Sequence, residues 1–271
     1  MLDTHCHLTF PDFQEPRYQG GAAAVLKKAA EHGVTGCITI STTPPDAAEA
    51  LAVALRFPNV WCSAGVHPGY SDEGPHDWAL LGRVAAHEKC VAWGELGLDN
   101  HYPEPARAVQ DRVLAEQLAF IESRRREGLE KPIVVHCREA FDELLPVLRS
   151  TSLDPSRFVF HCFTGTPGDV RKVLDFGAWV SFTGVVTYRN AAAVAEAAKL
   201  VPEDRIMVET DAPFLSPDPH RGVRPCEPWM ASVTARRLAE VRGVAWGAFR
   251  DRLNENTERF FGVRVPRGEG Y

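Results

Sequence analysis

Two imidazoles stand two residues apart near the start of the chain, in Leu2-Asp3-Thr4-His5-Cys6-His7. Side chains on a β-strand alternate between faces, so His5 and His7 point the same way and Cys6 points oppositely. Such a pair is a bidentate clamp for a divalent cation. Similar side chains then follow short apolar runs: His67 in Gly65-Val66-His67-Pro68, Glu95 in Gly94-Glu95-Leu96-Gly97-Leu98-Asp99, and His136 in Val134-Val135-His136-Cys137-Arg138. His161 in Phe160-His161-Cys162-Phe163 and Asp211 in Glu209-Thr210-Asp211-Ala212-Pro213 complete the series. One histidine after an apolar run is ordinarily a hydrogen-bonded core residue. Four histidines and two carboxylates brought to one place (His5, His7, His136, His161, Glu95, Asp211) are different, because several buried polar groups then need partners. A metal pair satisfies them together.

Elements able to gather these residues are visible in the hydrophobic pattern. Candidate strands fall at 2–8, 34–40, 60–66, 91–95, 133–136, 158–163, 179–182 and 206–209, with stretches of helical composition between them. The helical stretches include 21–32, stopped by Gly33, and 46–56, 104–128, 226–242 and 245–261. Strands alternating with helices predict parallel βα units joined by right-handed crossovers. Eight of them predict an α/β fold, a single-domain TIM-type (β/α)8 barrel whose C-terminal strand ends share one mouth. Six of the eight strands carry an imidazole or carboxylate at that end. A doubly wound open sheet is the rival architecture, but no GxGxxG follows any strand. The barrel is expected over residues 1–262, with 263–271 a C-terminal tail and Arg267–Tyr271 frayed.

Composition narrows the class. A chain of 271 residues can bury a sizeable core without staples. A formal charge of -6 excludes a broadly basic nucleic-acid coat and leaves room for a local basic rim. Seven cysteines at scattered spacings, with no CxxC, indicate reduced and mostly buried thiols. The acid and imidazoles at the N-terminus do not suit a signal peptide, and no run of eighteen apolar residues occurs. A soluble cytoplasmic protein is expected.

Taken in order, the motifs around His5 and His7, His67, Glu95, His136, His161 and Asp211 resemble those of the TatD family of metal-dependent deoxyribonucleases, a branch of the amidohydrolase superfamily. The resemblance runs from residue 3 to about 262, where Asn256-Thr257 and Phe260-Phe261-Gly262 are similar to the family's closing helix. It implies a TIM-type barrel with a one- or two-metal hydrolytic site. It further implies that His5, His7, Glu95 and Asp211 hold one metal, and His136 and His161, with Glu95 shared, a second. A carboxylate suits the shared position because each of its oxygens can serve one cation. Asp211 is the candidate general base as well as a ligand. One loop departs from the family: this chain reads Arg224-Pro225-Cys226-Glu227-Pro228 where Arg-Asn-Glu-Pro is common.

Other residues have paired readings. His67 is a substrate contact or a structural strand stop. Arg138 is a phosphate contact, since a guanidinium fork matches phosphate oxygens, or an ion-pair partner of Glu139 or Asp142. Glu209, two before Asp211, shares its face and could orient an imidazole. Cys6, Cys137 and Cys162 are expected to pack, and Arg124-Arg125-Arg126 to be a solvated helix end. Imidazole-rich sites suit Zn, Mn, Ni or Co, whereas Mg prefers oxygen. The expected activity is phosphodiester hydrolysis on DNA ends or single strands, with DNA a transient partner and no obligate protein partner. The alternative on the same ligands is an ester or amide hydrolase such as a D-aminoacyl-tRNA deacylase. A metal-binding protein without turnover is disfavoured by the complete ligand set and base.

Overall fold

The computed structural model describes residues 1–266; the expected frayed end, Arg267–Tyr271, lies outside the described residues. Eight strands form one parallel sheet in sequence order. They are β1 (Leu2–Cys6), β2 (Gly36–Thr39), β3 (Val60–Ala64), β4 (Cys90–Asp99), β5 (Ile133–Arg138), β6 (Phe158–Phe160), β7 (Trp179–Phe182) and β8 (Ile206–Val208). Helices α1 (Gly21–Glu31), α2 (Pro44–Arg56), α3 (Trp78–Ala85), α4 (Arg107–Arg126), α5 (Phe141–Arg149), α6 (Pro167–Phe176) and α7 (Ala192–Leu200) supply the crossovers. Helices α8 (Ala231–Arg242) and α9 (Trp246–Phe261) follow β8. This is the expected (β/α)8 arrangement in a single domain.

The last seam closes just beyond the strands. His7 N–H donates to Ala212 O at 2.7 Å and Asp211 N–H to His5 O at 2.9 Å. The buried Asp3 carboxylate stitches the same seam, accepting from Thr210 N–H at 2.9 Å and from the Thr210 hydroxyl at 2.5 Å. Closure therefore places His5, His7 and Asp211 side by side.

Local chemistry explains the element ends. Thr43 accepts from Asp46 N–H ahead of Pro44, starting α2 two residues earlier than the sequence pattern suggests. Thr166 and Asp169 form a capping box at the start of α6. Gly33 takes a φ of +80° and ends α1 as expected. Strand residues such as Cys37, Cys62, Val135 and Phe160 pack outward against the helices. Alternate ones, Leu2, Ile38, Val134 and Met207, cluster with Phe260, Phe261, Val263 and Val265. That second cluster fills one end of the barrel with the close of α9 and the segment after it, so Val263 and Val265 are buried. The opposite end is left for polar residues.

Candidate metal centre

The open end of the barrel is a cavity of about 770 Å³, lined by His7, His67, Glu95, His136, His161 and Asp211 among others. That volume lies within the range of small-molecule sites. Among the described residues, four other than glycine adopt a positive φ: Glu139 at 56°, Cys162 at 44°, Asp211 at 63° and Leu215 at 59°, and all four line this cavity. Left-handed backbone at such residues is uncommon and gathers where function over-determines geometry.

Glu95 sits at the centre because β4 bends around two glycines. Gly94 and Gly97 have φ of +116° and +150°, and a Cβ on Gly97 would lie 1.8 Å from His136 O. Only glycine lets β5 approach there, and the register shift between Trp93 and Leu96 turns Glu95 inward. Its two oxygens face different neighbours. Oε2 lies 2.7 Å from His5 Nε2. Oε1 lies 2.9 Å from His67 Nε2, 3.1 Å from His136 Nδ1 and 3.5 Å from His161 Nε2. Asp211 Oδ1 completes the first side, 3.3 Å from His7 Nε2 and 3.6 Å from His5 Nε2. The structure thus gathers all six candidate ligands around the two faces of one carboxylate.

For His7 and His136 the outer nitrogen decides what the inner nitrogen can do, and a carboxylate faces that of His161. His7 Nδ1–H donates to Ile40 O at 2.9 Å, which leaves the Nε2 lone pair facing Asp211. His136 Nε2–H donates to Asp99 Oδ2 at 3.0 Å, so Nδ1 presents its lone pair to Glu95. His161 Nδ1 faces Glu209 Oε1 at 3.5 Å, leaving Nε2 toward the centre. This carboxylate–histidine arrangement is the usual support of metal-ligating imidazoles. His67 is wired the other way. Its Nδ1 accepts from Gly69 N–H at 2.8 Å, so the neutral ring carries its proton on Nε2 and donates it inward. Burial lowers its pKa and keeps it neutral.

The donors fit a divalent cation. His5 Nε2 and Glu95 Oε2 are buried and face each other at 2.7 Å, yet neither makes an aligned hydrogen bond. Converging buried acceptors without donors are what a cation resolves. Donor atoms of His5, His7 and Asp211 lie within 4.8 Å of one another, and His136 Nδ1 and His161 Nε2 lie 3.3 Å apart beside Glu95 Oε1. Burial would raise the Glu95 carboxyl, but His161, His67 and His5 outweigh it and hold it well below the usual carboxylate range. Burial lowers His5, favouring the neutral imidazole that a ligand must be.

Residues around this centre divide clearly. Arg138 lines the cavity, and its rivals for an ion pair are taken, Glu139 by His101 at 3.0 Å and Asp142 by Lys172 at 2.6 Å. Glu209 faces His161 and accepts Cys162 N–H at 2.6 Å. Cys6 joins the outer packing, and Cys137 packs there while also lining the cavity. Cys162 does not pack away as strand alternation suggested. Its left-handed backbone breaks the alternation just after β6, and the residue lines the cavity. Arg124 and Arg125 pair with Glu127 at 2.8 Å and Glu130 at 3.6 Å, at the end of α4 that leads into β5, away from the mouth. In the departing loop, Arg224 pairs with Asp12 at 2.9 Å and Cys226 is buried. Glu227 there accepts from Tyr18 Oη at 3.0 Å and Lys28 Nζ at 2.8 Å.

The role of Asp99 is not visible in the sequence pattern alone. Besides His136, it accepts from His101 N–H at 2.8 Å and Tyr102 N–H at 3.3 Å through its other oxygen. Burial raises its pKa, but the bond from His136 and the backbone donors prevail and hold it at about 2. The one available clue was its place at the end of the Glu95 motif.

Comparison with known proteins is consistent across sequence and structure. Residues 2–262 match the family model described as TatD related DNase. The chain is 36% identical over 267 residues to the Escherichia coli K12 protein named uncharacterized metal-dependent hydrolase YcfH, covering 98% of this chain and 97% of that one. It is 31% identical over 271 residues to an Erwinia tasmaniensis protein named 3'-5' ssDNA/RNA exonuclease TatD, covering 97% and 100%. The crystal structure of YJJV, a TatD homolog from Escherichia coli K12, superposes with a TM-score of 0.86 at 28% identity, covering 97% of this chain and 98% of that one.

Proposed function

The chain belongs to the TatD-related DNase family, and from that premise we propose that it is a metal-dependent hydrolase cleaving phosphodiester bonds at the ends of single-stranded nucleic acid, DNA first. The observation that carries this reading is Glu95, whose two oxygens face two separate sets of donors. His5, His7 and Asp211 would hold one divalent cation with Glu95, and His136 and His161 a second. Bound there, such cations supply Lewis acidity and an activated water for attack at phosphorus.

The remaining work falls to side chains. Asp211 keeps its side chain 16% exposed, against 2% for Glu95, so it reaches the cavity and can accept the proton of the attacking water. His67 directs its Nε2–H toward Glu95 Oε1, and once that oxygen is committed to a cation the N–H would be open to a phosphoryl oxygen; Arg138, which makes no ion pair among the described residues, would meet another. Five carboxylates line the cavity (Glu95, Asp99, Glu139, Asp169 and Asp211) against one arginine. Such a mouth repels a phosphodiester until cations neutralise it, and it suits a short grip on a strand end better than a long duplex.

The test is a parallel assay of metal-loaded protein on single-stranded DNA, RNA, D-aminoacyl-tRNA and an aryl ester, repeated after verified metal removal. Metal-dependent shortening of DNA, abolished by chelation and restored by Mn, Co, Mg or Zn, is expected. Turnover confined to the two carbonyl substrates overturns the phosphodiester reading. Full turnover without metal overturns the metal-dependent one.

A further inference from the structure

Tyr102 stands out among the exposed side chains. Of the large hydrophobic residues exposed among the described residues (Leu55, Tyr102, Leu200 and Val223), it alone lines the cavity, with 57% of its surface open. A single exposed aromatic needs no explanation by itself. The turn that carries this one is built to hold it. Asp99 Oδ1 accepts the N–H groups of His101 and Tyr102, while Asp99 Oδ2 accepts from His136. The buried Gln110 of α4 brackets the same turn: it accepts Asp99 N–H at 2.9 Å and donates to Asp99 O at 3.0 Å and Pro105 O at 2.9 Å. Asn100 Nδ2 donates to Glu139 O at 2.9 Å, tying the turn to the loop after β5. The Arg138 guanidinium lies 5.1 Å from the Tyr102 ring centroid, backing the ring with a cation.

An aromatic ring at a cavity rim, backed by a guanidinium and carried on backbone that one carboxylate ties to a candidate metal ligand, has a definite complement. It fits a flat base carried beside a phosphate. We propose that Tyr102 is the stacking platform for the nucleobase next to the scissile linkage, and that Arg138 both backs the ring and meets the adjoining phosphate. This deepens the phosphodiesterase reading and rests on it. Stacking tolerates any base, since each has a π face, but it requires that the base be unpaired. The platform therefore selects single strands and frayed ends without selecting sequence.

The test uses zinc-loaded protein and pentanucleotides whose terminal linkages are hydrolysis-resistant phosphorothioates, which keep the negative charge that Arg138 is to meet. The terminal base is 2-aminopurine, at the 3′ end in one strand and the 5′ end in another, and a control strand is abasic at both ends. Wild type should quench 2-aminopurine on binding at one end and bind the abasic strand more weakly. Tyr102→Ala should bind the base-bearing strand roughly 5- to 160-fold more weakly, the span that loss of a stacking ring gives. It should lose the preference over the abasic strand, and Tyr102→Trp should retain both. Equal affinity of Tyr102→Ala and wild type for the base-bearing strand overturns the platform, as does a wild type indifferent to the terminal base. Failure to bind any strand overturns the platform and the phosphodiesterase reading together. Tyr102-dependent quenching with no hydrolysis of ordinary single strands leaves the platform standing and overturns the reaction alone.

Discussion

Asp99→Asn separates the support of a ligand from the ligand itself. In the native site one Asp99 oxygen receives the Nε2–H of His136 at 3.0 Å, and the other receives two backbone N–H groups at 2.8 and 3.3 Å. Asparagine has the same shape but only one oxygen. If that oxygen stays with the turn, the amide NH2 meets His136 Nε2. The imidazole must then move its proton to Nδ1, the nitrogen 3.1 Å from Glu95 Oε1, and the lone pair facing the centre is lost. If the amide flips, the turn loses its acceptor and His136 keeps only a neutral partner. Either way a charge-assisted bond is lost, worth about 1.5–3 kcal/mol. The expected result is a 10- to 100-fold weaker metal affinity, the usual reach of such a support. Competition against a fluorescent chelator measures it, and thermal unfolding of the metal-free protein checks that the fold is retained. Glu209→Gln should cost less, because its oxygen stands 3.5 Å from His161 Nδ1, beyond good hydrogen-bond length. An Asp99→Asn protein with metal affinity within twofold of wild type refutes the tautomer argument.

Further outcomes follow from the division around Glu95. Glu95→Ala should impair metal binding on both faces while His136→Ala mainly empties one; equal losses by elemental analysis would count against a shared carboxylate. Asp211→Asn keeps size and one carbonyl oxygen but cannot accept a proton. At matched, saturating metal its turnover should fall ~10²–10⁴-fold with little change in substrate affinity. Near-wild-type turnover under those conditions would remove Asp211 as the base.

The barrel was legible because alternation and punctuation agree over most of the chain. The strand read at 179–182 is β7 to the residue, and most other strands differ by a few residues at one end. β4 is the instructive miss. Gly94 and Gly97 look like a strand stop, yet the strand runs on to Asp99 because glycine is what permits the close approach of β5. The short helices α3, α5, α6 and α7 had helical composition but no bounds, and α5 even holds Pro146 within it. In the candidate site, residue type and position pointed to the inward groups. Their wiring was hidden, because two of its contacts join residues distant in sequence and the third is a local turn bond that residue type does not reveal. Gly69 sets the tautomer of His67, Asp99 that of His136, and Ile40 that of His7.

The central claim is that Glu95 stands between two cation positions, one toward His5, His7 and Asp211 and the other toward His136 and His161. Anomalous diffraction from zinc-loaded crystals, recorded on both sides of the absorption edge, tests it directly. Anomalous peaks are expected on the Oε1 and Oε2 sides of Glu95, with His67 Nε2 outside bonding distance of either ion. A zinc ion bonded to His67 Nε2, or zinc bound with no contact to Glu95, would contradict it.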